Sequence, residues 1–244
     1  MMFDWSKWEW RQPLAGFDPW ANVPEGAAFY PKRAREWCEF FERHIKLARG
    51  DGFMGNYIRL MWWQRLLVGW LFGWLYRDGR RRFDTVFVYI PKKNGKSAFT
   101  SALATALFIA DGETDKKVYC AASVKEQAGL VFQDAVYMTQ QTGINPADLR
   151  GTGDLSRKKV YYMPTRSMLT AISRDARTNE GIEPSVAIID ELHVMPDGQL
   201  IDVLRKGMVT RRQPLLLSLT TAAHQGENLC SGELAFARRV RDGQ

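Results

Sequence analysis

The chain has 244 residues, of which 45% are hydrophobic and 12% aromatic, which predicts a folded core and excludes a disordered or fibrous protein. Its 34 Lys and Arg against 27 Asp and Glu leave a formal net charge of +7, which favours a polyanionic partner. The three cysteines stand far apart without a C-x-x-C pair, which excludes a disulfide framework and a common zinc motif and indicates reduced thiols.

The sequence shows no pattern of export or membrane insertion. Residues 1–10 lack the basic region followed by an apolar core that a signal peptide requires. The most apolar stretch, residues 60–76, is interrupted by Gln64 and Arg65 and is shorter than the roughly 20 residues of a membrane span. We therefore expect a cytosolic protein without a membrane partner.

Residues 1–50 predict an N-terminal extension that packs on the core. The segment before residue 31 is rich in aromatic residues and turns, and its prolines break any regular pattern. Pro31 suits the first turn of a helix, and apolar residues follow at helical spacing to residue 48. A second helix is predicted over residues 60–77, with Gln64 near its start.

Residues 84–110 predict a strand, a loop and a helix in that order. The strand is a β-branched and aromatic run over 84–90, and the helix has apolar residues at helical spacing from Ser97 onward. The loop between them contains Pro91, Lys92, Lys93, Asn94, Gly95 and Lys96. A helix entered in this way points free N–H groups and a positive dipole end at the loop, which favours a bound phosphate. In the common phosphate-loop pattern the lysine, here Lys96, contacts the terminal phosphates of a nucleotide, and the following hydroxyl, here Ser97, ligates magnesium.

The match to the pattern G-x-x-x-x-G-K-[ST] is incomplete. Ile90 stands where the first glycine is expected. The Gly-Lys-Ser triplet alone is equally compatible with a simple strand-to-helix turn that carries a surface lysine. The decision therefore depends on residues elsewhere in the chain.

The middle of the chain predicts alternating strands and helices. Residues 117–122 predict a strand, and Ser123 with Glu126 predicts a capping box for the helix that follows. Residues 160–163 and 167–172 predict the two strands of a hairpin. Such alternation indicates a parallel sheet covered by helices, with ligands at the carboxyl ends of its strands.

A short apolar strand over residues 186–189 ends in Asp190 and Glu191. In nucleoside triphosphatases, adjacent carboxylates at a strand end have separate tasks. The first holds magnesium through water, and the second orients or deprotonates the attacking water. Because this pair follows the phosphate loop in the order that the mechanism requires, the two halves together predict nucleotide hydrolysis.

A further apolar strand over residues 215–219 ends in Thr220, Thr221 and Ala222. Hydroxyls at that position are suited to sense the terminal phosphate and to transmit its loss, although threonine is also ordinary at a strand end. A last helix is predicted over residues 232–241.

In combination these segments resemble the ATPase domain of the large terminase subunits of tailed double-stranded DNA phages. The resemblance rests on Pro91-Lys-Lys-Asn-Gly-Lys-Ser97, Asp190-Glu-Leu-His193 and Thr220-Thr-Ala222, preceded by Trp63-Gln64 and Leu71-Phe-Gly-Trp74. It extends from about residue 50 to the C-terminus. Phosphate loops in that family lack the first glycine and carry basic residues, so the departure at Ile90 supports the resemblance.

The resemblance implies a fold and two cofactors. The fold is an α/β P-loop NTPase of the ASCE type, with a parallel sheet flanked by helices, in residues 51–244. The cofactors are ATP and Mg²⁺. The implied nucleotide contacts are Gln64 at the adenine and Lys92, Lys93, Asn94, Gly95, Lys96 and Ser97 at the phosphates.

The resemblance also implies roles for the acidic pair and the threonines. Ser97 and Asp190 match the two magnesium contacts, and Glu191 matches the catalytic carboxylate. Thr220, Thr221 and Ala222 match the motif that couples hydrolysis to movement.

Family members also use an arginine, from the same or a neighbouring subunit, against the charge that develops during hydrolysis. Many members carry an Arg-Gly pair shortly before the acidic strand, but here Glu180 precedes Gly181. Arg177 is the preferred candidate and Arg174 the second. Lys92 and Lys93 are alternatives on the phosphate loop itself.

The resemblance implies double-stranded DNA, a portal protein and a small terminase subunit as partners. It further implies a homo-oligomeric ring as the active form and the cytoplasm of the infected bacterial host as the location. Full-length members continue into a nuclease domain, but no spaced acidic cluster follows Thr221, so we expect neither that domain nor its activity here.

Two alternatives stay open at this point. One is a helicase-like, nucleic-acid-dependent ATPase whose second motor domain comes from a partner. The other is a module that binds nucleotide and nucleic acid without hydrolysis. ATP turnover with and without DNA separates these alternatives.

Overall fold

The computed structural model describes residues 3–152, 156, 158–173, 181–221 and 229–243. The strands are β1 (Ala27–Phe29), β2 (Trp74–Tyr76), β3 (Thr85–Tyr89), β4 (Lys117–Ala122), β5 (Leu149–Arg150), β6 (Lys159–Tyr162), β7 (Ser167–Ser173), β8 (Val186–Asp190) and β9 (Leu215–Thr220). The α-helices are α1 (Pro31–His44), α2 (Trp62–Gly73), α3 (Lys96–Ile109), α4 (Lys125–Gln140), α5 (Gln199–Gly207) and α6 (Leu229–Arg241). Among these described helices, none combines the length and the apolar character needed to cross a membrane.

The central element is a mixed sheet of seven strands in the described residues, in the order β3-β9-β8-β4-β7-β6-β5. The five strands from β3 to β7 in that order are parallel to their neighbours, and β6 and β5 continue one edge as antiparallel strands. The predicted parallel α/β sheet and the predicted hairpin of β6 and β7 are confirmed. The first two strands of the chain, β1 and β2, form a separate antiparallel pair.

Helices bury both faces of the sheet. Along β8 the side chains of Val186 and Ile188 join one hydrophobic cluster, and those of Ala187 and Ile189 join the other. The first cluster includes residues of α1, α2, α3 and α4, and the second includes residues of α5 and Cys230 of α6. A strand that is buried on both faces is a continuous apolar run, which explains why β8 and β9 are so clear in the sequence.

The amino-terminal ends of the strands are joined by a buried ion pair. The guanidinium of Arg81, just before β3, lies 2.5 Å from the carboxylate of Asp111, just after α3, and each side chain is 3% exposed. The same guanidinium donates to the carbonyl oxygen of Gln213, just before β9, at 2.6 Å. Three loops at the end of the sheet away from the phosphate loop are therefore fixed to one another.

The aromatic residues of the N-terminal segment pack on α2. The indole of Trp10 stacks on that of Trp5, with ring centroids 5.6 Å apart. The carbonyl oxygen of Trp10 accepts a hydrogen bond from the indole N–H of Trp70 at 3.0 Å. The ring of Trp10 lies directly over Gly69 of α2, where a Cβ would be 1.9 Å from a ring carbon. The glycine is therefore required by the close approach of the indole.

Two sequence-based predictions of local structure are wrong. The helix predicted over residues 60–77 ends at Gly73, because Trp74–Tyr76 pair with β1 as strand β2. The capping box predicted at Ser123 and Glu126 does not form, since α4 follows Val124 and its cap has no side-chain hydrogen bond. Helix α5, which buries Leu200, Ile201 and Leu204, was not predicted.

We expect Gly69→Ala to destabilise the protein by about 1–3 kcal/mol, because the new methyl group displaces the indole of Trp10. Gly232→Ala on α6 is the matched control, since no atom lies within 4 Å of the corresponding Cβ. Helix propensity alone predicts a gain of up to about 1 kcal/mol for that control. Thermal and denaturant unfolding measure both changes. Equal effects of the two substitutions would contradict the packing of Trp10 on Gly69.

Candidate functional site

Three strand ends meet at one edge of the sheet. Strand β9 lies between β3 and β8 and is parallel to both, with Thr220 opposite Tyr89 and Leu219 opposite Asp190. The loop that follows β3, the acidic pair that follows β8 and the threonines at the end of β9 therefore occupy neighbouring positions. Ligands of open α/β sheets bind at such carboxyl ends.

The loop between β3 and α3 is shaped by its own backbone. Gly95 adopts the left-handed conformation, with φ 70° and ψ 17°, immediately before α3 begins at Lys96. Lys93 also has positive φ, and the side-chain amide of Asn94 donates to the carbonyl oxygens of Pro91 and Lys92 at 3.2 and 3.3 Å. The loop thus turns sharply and presents the first N–H groups of α3 to an anion.

Ile90 occupies the place of the first glycine in the common pattern without strain. Its N–H donates to the carbonyl oxygen of Thr220 at 3.1 Å, so the chain is still bonded to the sheet at this point. Ile90 is not among the residues with positive φ. A glycine is therefore not required here, because the turn is made later, at Lys93 and Gly95.

The side chain of Lys96 joins the two halves of the site. Its ammonium nitrogen lies 2.5 Å from Oδ1 of Asp190 and 2.8 Å from Oε1 of Glu191. The side chain of Lys96 is only 7% exposed, so this positive charge is held almost entirely by the two carboxylates. Burial raises the pKa of Asp190 above its ordinary value, and the ammonium of Lys96 opposes that rise.

Glu191 is held in an unusual backbone conformation. Its φ of 57° and ψ of 51° are left-handed, which costs a residue other than glycine about 1–2 kcal/mol. Its N–H donates to the carbonyl oxygen of Leu219 in β9 at 3.0 Å. This conformation directs the carboxylate back toward Lys96, and its side chain stays 27% exposed. A carboxylate that is fixed in this way, on a side chain that is only partly buried, suits the positioning of a water molecule.

Gln64 lies against the phosphate loop. Its Oε1 accepts the N–H of Met61 at 2.9 Å, and its Nε2 lies 3.6 Å from the position that a Cβ on Gly95 would occupy. The side chain of this residue is buried. The amide oxygen therefore uses one of its two lone pairs at the start of its own helix, and the amide nitrogen faces the loop.

The threonines at the end of β9 are buried beside the acidic pair. The hydroxyl oxygen of Thr220 accepts the N–H of His193 at 3.1 Å and lies 3.2 Å from the ring nitrogen Nδ1 of His193. Thr221 is also buried, and its hydroxyl has no hydrogen bond within the part of the chain that the structure describes. The predicted residues Ala222, Arg174 and Arg177 lie outside the described residues.

The oxygen atoms of this site fit a magnesium ion. Ser97, in the first turn of α3, is exposed, and Asp190 offers a carboxylate beside the ammonium of Lys96. Mg²⁺ is usually held in proteins by one or two carboxylates together with waters and substrate phosphates. The described residues contain no larger cluster of His, Cys, Asp and Glu that would hold a metal by itself. Ser97 and Asp190 would therefore hold Mg²⁺ together with a bound phosphate.

Sequence reasoning gave His193 no role, although it follows Glu191 by two residues. Its Nδ1 lies 3.1 Å from Oε2 of Glu191 and 3.2 Å from the hydroxyl of Thr220. The Asp-Glu-x-His spacing was visible, but the contact with Thr220 depends on the pairing of β8 with β9. His193 thus belongs to the site for a reason that only the sheet order supplies.

We expect Lys96→Ala to lower the stability of the nucleotide-free protein by about 3 kcal/mol at neutral pH, because it leaves two adjacent carboxylates without their cation. The folded state of this variant then binds protons more tightly at Asp190 than the unfolded state does. Its deficit should therefore be largest above the raised pKa of Asp190 and should shrink as the pH falls through that pKa.

Urea unfolding of the variants as a function of pH measures this effect. The double substitution Lys96→Ala with Asp190→Asn should recover part of the lost stability. Lys117→Ala is the control, since its ion pair with Glu183 is largely exposed and is expected to contribute less than about 1 kcal/mol. A deficit that is the same at all pH values would contradict the proposed charge balance.

Comparison with known proteins identifies relatives of this chain. The family model for the ATPase domain of the terminase large subunit matches residues 62–239. The large terminase subunit of Enterobacteria phage HK97 is 28% identical over 164 residues, which are 65% of this chain and 32% of that protein. The present chain thus spans about a third of the length of this curated relative.

Solved structures share the fold. The crystal structure of the HK97 bacteriophage large terminase has a TM-score of 0.71 at 23% identity, over 88% of this chain and 42% of that one. The large terminase ATPase domain of Thermus phage P74-26 has a TM-score of 0.50 at 16% identity, over 62% and 65% of the two chains. The first likeness supports the P-loop fold, and the family model covers well over half of the sequence. The chain therefore belongs to the family of terminase large subunit ATPase domains.

Proposed function

We propose that this chain is the ATP-hydrolysing motor domain of a viral DNA-packaging terminase, which couples ATP hydrolysis to the translocation of double-stranded DNA into a procapsid. One observation carries the proposal. A buried lysine at the start of a helix lies within 2.8 Å of two consecutive carboxylates at the end of a parallel strand, which is separated by one strand from the strand that leads to the helix. Phosphoryl transfer to water needs a cation at the phosphates, a ligand for the metal ion and a carboxylate that positions the water.

The first step is an exchange of partners at Lys96. The triphosphate of ATP enters the loop in front of α3, where backbone N–H groups and the helix dipole favour it. Lys96 then moves from the carboxylates to the terminal phosphates. Gln64 contacts the adenine, and the loop residues that complete the phosphate site are Lys92, Lys93, Asn94, Gly95 and Ser97. The ion pairs that Lys96 makes without nucleotide give both carboxylates a cationic neighbour until the phosphates arrive.

The acidic pair is then free for its two tasks. Ser97 and Asp190 would hold Mg²⁺, which when bound would offset negative charge on the phosphates. Glu191 orients the attacking water and accepts its proton, since its carboxylate is fixed by the left-handed backbone and its side chain is only partly buried. The coupling motif consists of Thr220, Thr221 and Ala222. It responds to the loss of the terminal phosphate and transmits this change through β9 to the movement of DNA.

Hydrolysis also requires a cation that stabilises the negative charge of the transition state. We assign it to Arg177, with Arg174 as the second choice, supplied by a neighbouring subunit in a homo-oligomeric ring. The exposed Lys92 and Lys93 of the loop are the alternative within one subunit. An arginine in this role changes the rate by roughly 10³–10⁵.

The remaining assignments follow from the proposed motor function. Its partners are double-stranded DNA, a portal protein and a small terminase subunit, and its location is the cytoplasm of the infected host. We assign the ATPase domain to residues 51–244 and a packing extension to residues 1–50. No nuclease activity is assigned to these residues.

Glu191→Gln should retain ATP binding within about threefold and lower the turnover number by at least about 10²-fold, because it removes the proton acceptor but keeps the size of the side chain. Lys96→Ala should instead lose nucleotide binding. Fluorescent-nucleotide titration and phosphate release measure the two quantities, with Glu36→Gln on the exposed face of α1 as the control. Turnover by Glu191→Gln at the wild-type rate would remove Glu191 from the catalytic role.

Mixing of inactive subunits tests Arg177. Arg177→Ala and Glu191→Gln proteins should each lack turnover, and their mixture at high concentration should recover part of it. The reason is that one subunit then supplies the arginine and its neighbour the intact carboxylate. Recovery is read as phosphate release across mixing ratios with total protein held constant. A mixture that never exceeds its components would reject a role of Arg177 between subunits.

A further inference from the structure

The imidazole of His193 lies between the carboxylate of Glu191 and the hydroxyl of Thr220. Its Nδ1 is 3.1 Å from Oε2 of Glu191 and 3.2 Å from Oγ1 of Thr220. The side chain of His193 is 17% exposed. One ring nitrogen is thus close to the proposed catalytic carboxylate and to the proposed coupling motif.

Some of the hydrogen bonds that Nδ1 of His193 and the hydroxyl of Thr220 can make exclude one another. The hydroxyl of Thr220 accepts the N–H of His193, and its single proton is directed either to the carbonyl oxygen of Thr221 at 3.2 Å or to Nδ1. Nδ1 carries either a proton, which it can donate to Glu191 or to the hydroxyl oxygen of Thr220, or a lone pair, which accepts the proton of Thr220. The same nitrogen cannot do both, so the group has two arrangements.

Glu191 needs a second partner once Lys96 leaves it. Its Oε1 is paired with Lys96 without nucleotide, whereas its Oε2 has no hydrogen bond within the described residues. Nδ1 of His193 is close enough to supply one after a small rotation. When Lys96 turns to the phosphates, His193 is therefore placed to fix the carboxylate.

Thr220 connects this group to the phosphate loop. Its carbonyl oxygen accepts the N–H of Ile90, the residue just before that loop, at 3.1 Å. Its hydroxyl meanwhile contacts the segment that carries the acidic pair. A change in the hydrogen bonds of the Thr220 hydroxyl therefore acts on a residue that contacts both halves of the site.

We propose that His193 is a positioning residue that holds Glu191 through Nδ1 and links the state of Glu191 to the hydroxyl of Thr220. This inference rests on the proposed ATP hydrolysis and names the residue through which hydrolysis reaches the coupling motif. With Nδ1–H donated to Glu191, Thr220 donates to Thr221. With Nδ1 as acceptor, Thr220 turns to His193 and Glu191 is released.

Two substitutions distinguish a positioning role of His193 through Nδ1 from a contribution of its side chain to packing. Asparagine places a polar group near the position of Nδ1, and glutamine places one near that of Nε2. His193→Asn should stay within about threefold of the wild-type turnover number. His193→Gln should lose at least tenfold while KM for ATP changes less than threefold. His44→Gln, an exposed histidine at the end of α1, is the matched control and should change neither quantity.

A double-mutant comparison tests the link to Thr220. Thr220→Val should lower the turnover number of the wild-type protein, and this effect should be at least threefold smaller in the His193→Gln protein. Thr220→Ser, which keeps the hydroxyl, should retain the turnover. The proposal is overturned if His193→Gln turns over at the wild-type rate, if His193→Asn and His193→Gln are equally impaired, or if the effect of Thr220→Val is the same in both proteins.

A spectroscopic measurement keeps this inference separate from the proposed function. If the wild-type protein does not hydrolyse ATP, the proposed function fails. The ¹⁵N chemical shifts of the His193 imidazole then test the contact itself. Both Glu191→Gln and Thr220→Val should move the shift of Nδ1, and unchanged shifts in either variant would reject the link through His193.

Discussion

The structure depends on the burial of Lys96 between Asp190 and Glu191. One ammonium group compensates two carboxylates at distances of 2.5 and 2.8 Å, in a place where Lys96 is 7% exposed. Removal of Lys96 leaves two adjacent carboxylates without their cation, which is more costly than the pair is stabilising. The same arrangement is suited to exchange, because an incoming triphosphate supplies the negative charge that Lys96 needs. The ion pairs of Lys96 in the nucleotide-free protein thus also prepare the site for nucleotide.

Strand β9 joins the two halves of the site. The strand is the last of the sheet in sequence, yet it lies between the strand that leads to the phosphate loop and the strand that carries the acidic pair. Thr220 therefore contacts His193 through its hydroxyl and Ile90 through its carbonyl oxygen. At the opposite end of the sheet, Arg81 binds Asp111 and Gln213, so β3, α3 and β9 are anchored together. The contacts of Arg81 thus fix the end of the sheet that lies away from the site.

The N-terminal segment packs on α2, and α2 in turn contacts the phosphate loop. Trp10 covers Gly69 in the middle of that helix, and Gln64 at its start lies against Gly95 of the phosphate loop. Helix α1 also stabilises α2, since Trp37 stacks on Phe72 with ring centroids 3.8 Å apart. The side chain proposed to contact the adenine is therefore positioned by packing of residues that precede the family match, which begins at residue 62.

The sequence by itself determined the elements that carry the site. Strands β8 and β9 are apolar runs that end in polar residues, and a strand buried on both faces is visible from composition alone. Strand β3 is a partly exposed edge strand, and its β-branched and aromatic residues predicted it. The phosphate loop was predictable because Lys96 and Ser97 follow the strand directly, and the turn requires only local backbone geometry at Gly95. Only the tertiary structure decided the order of the strands, and with it the contact of His193 with Thr220. It also ended α2 at Gly73, since the helical pattern continues but pairing with β1 is more favourable. Periodicity reports which side of a segment is buried, whereas the partner that buries it is chosen by free-energy terms between residues far apart in the chain.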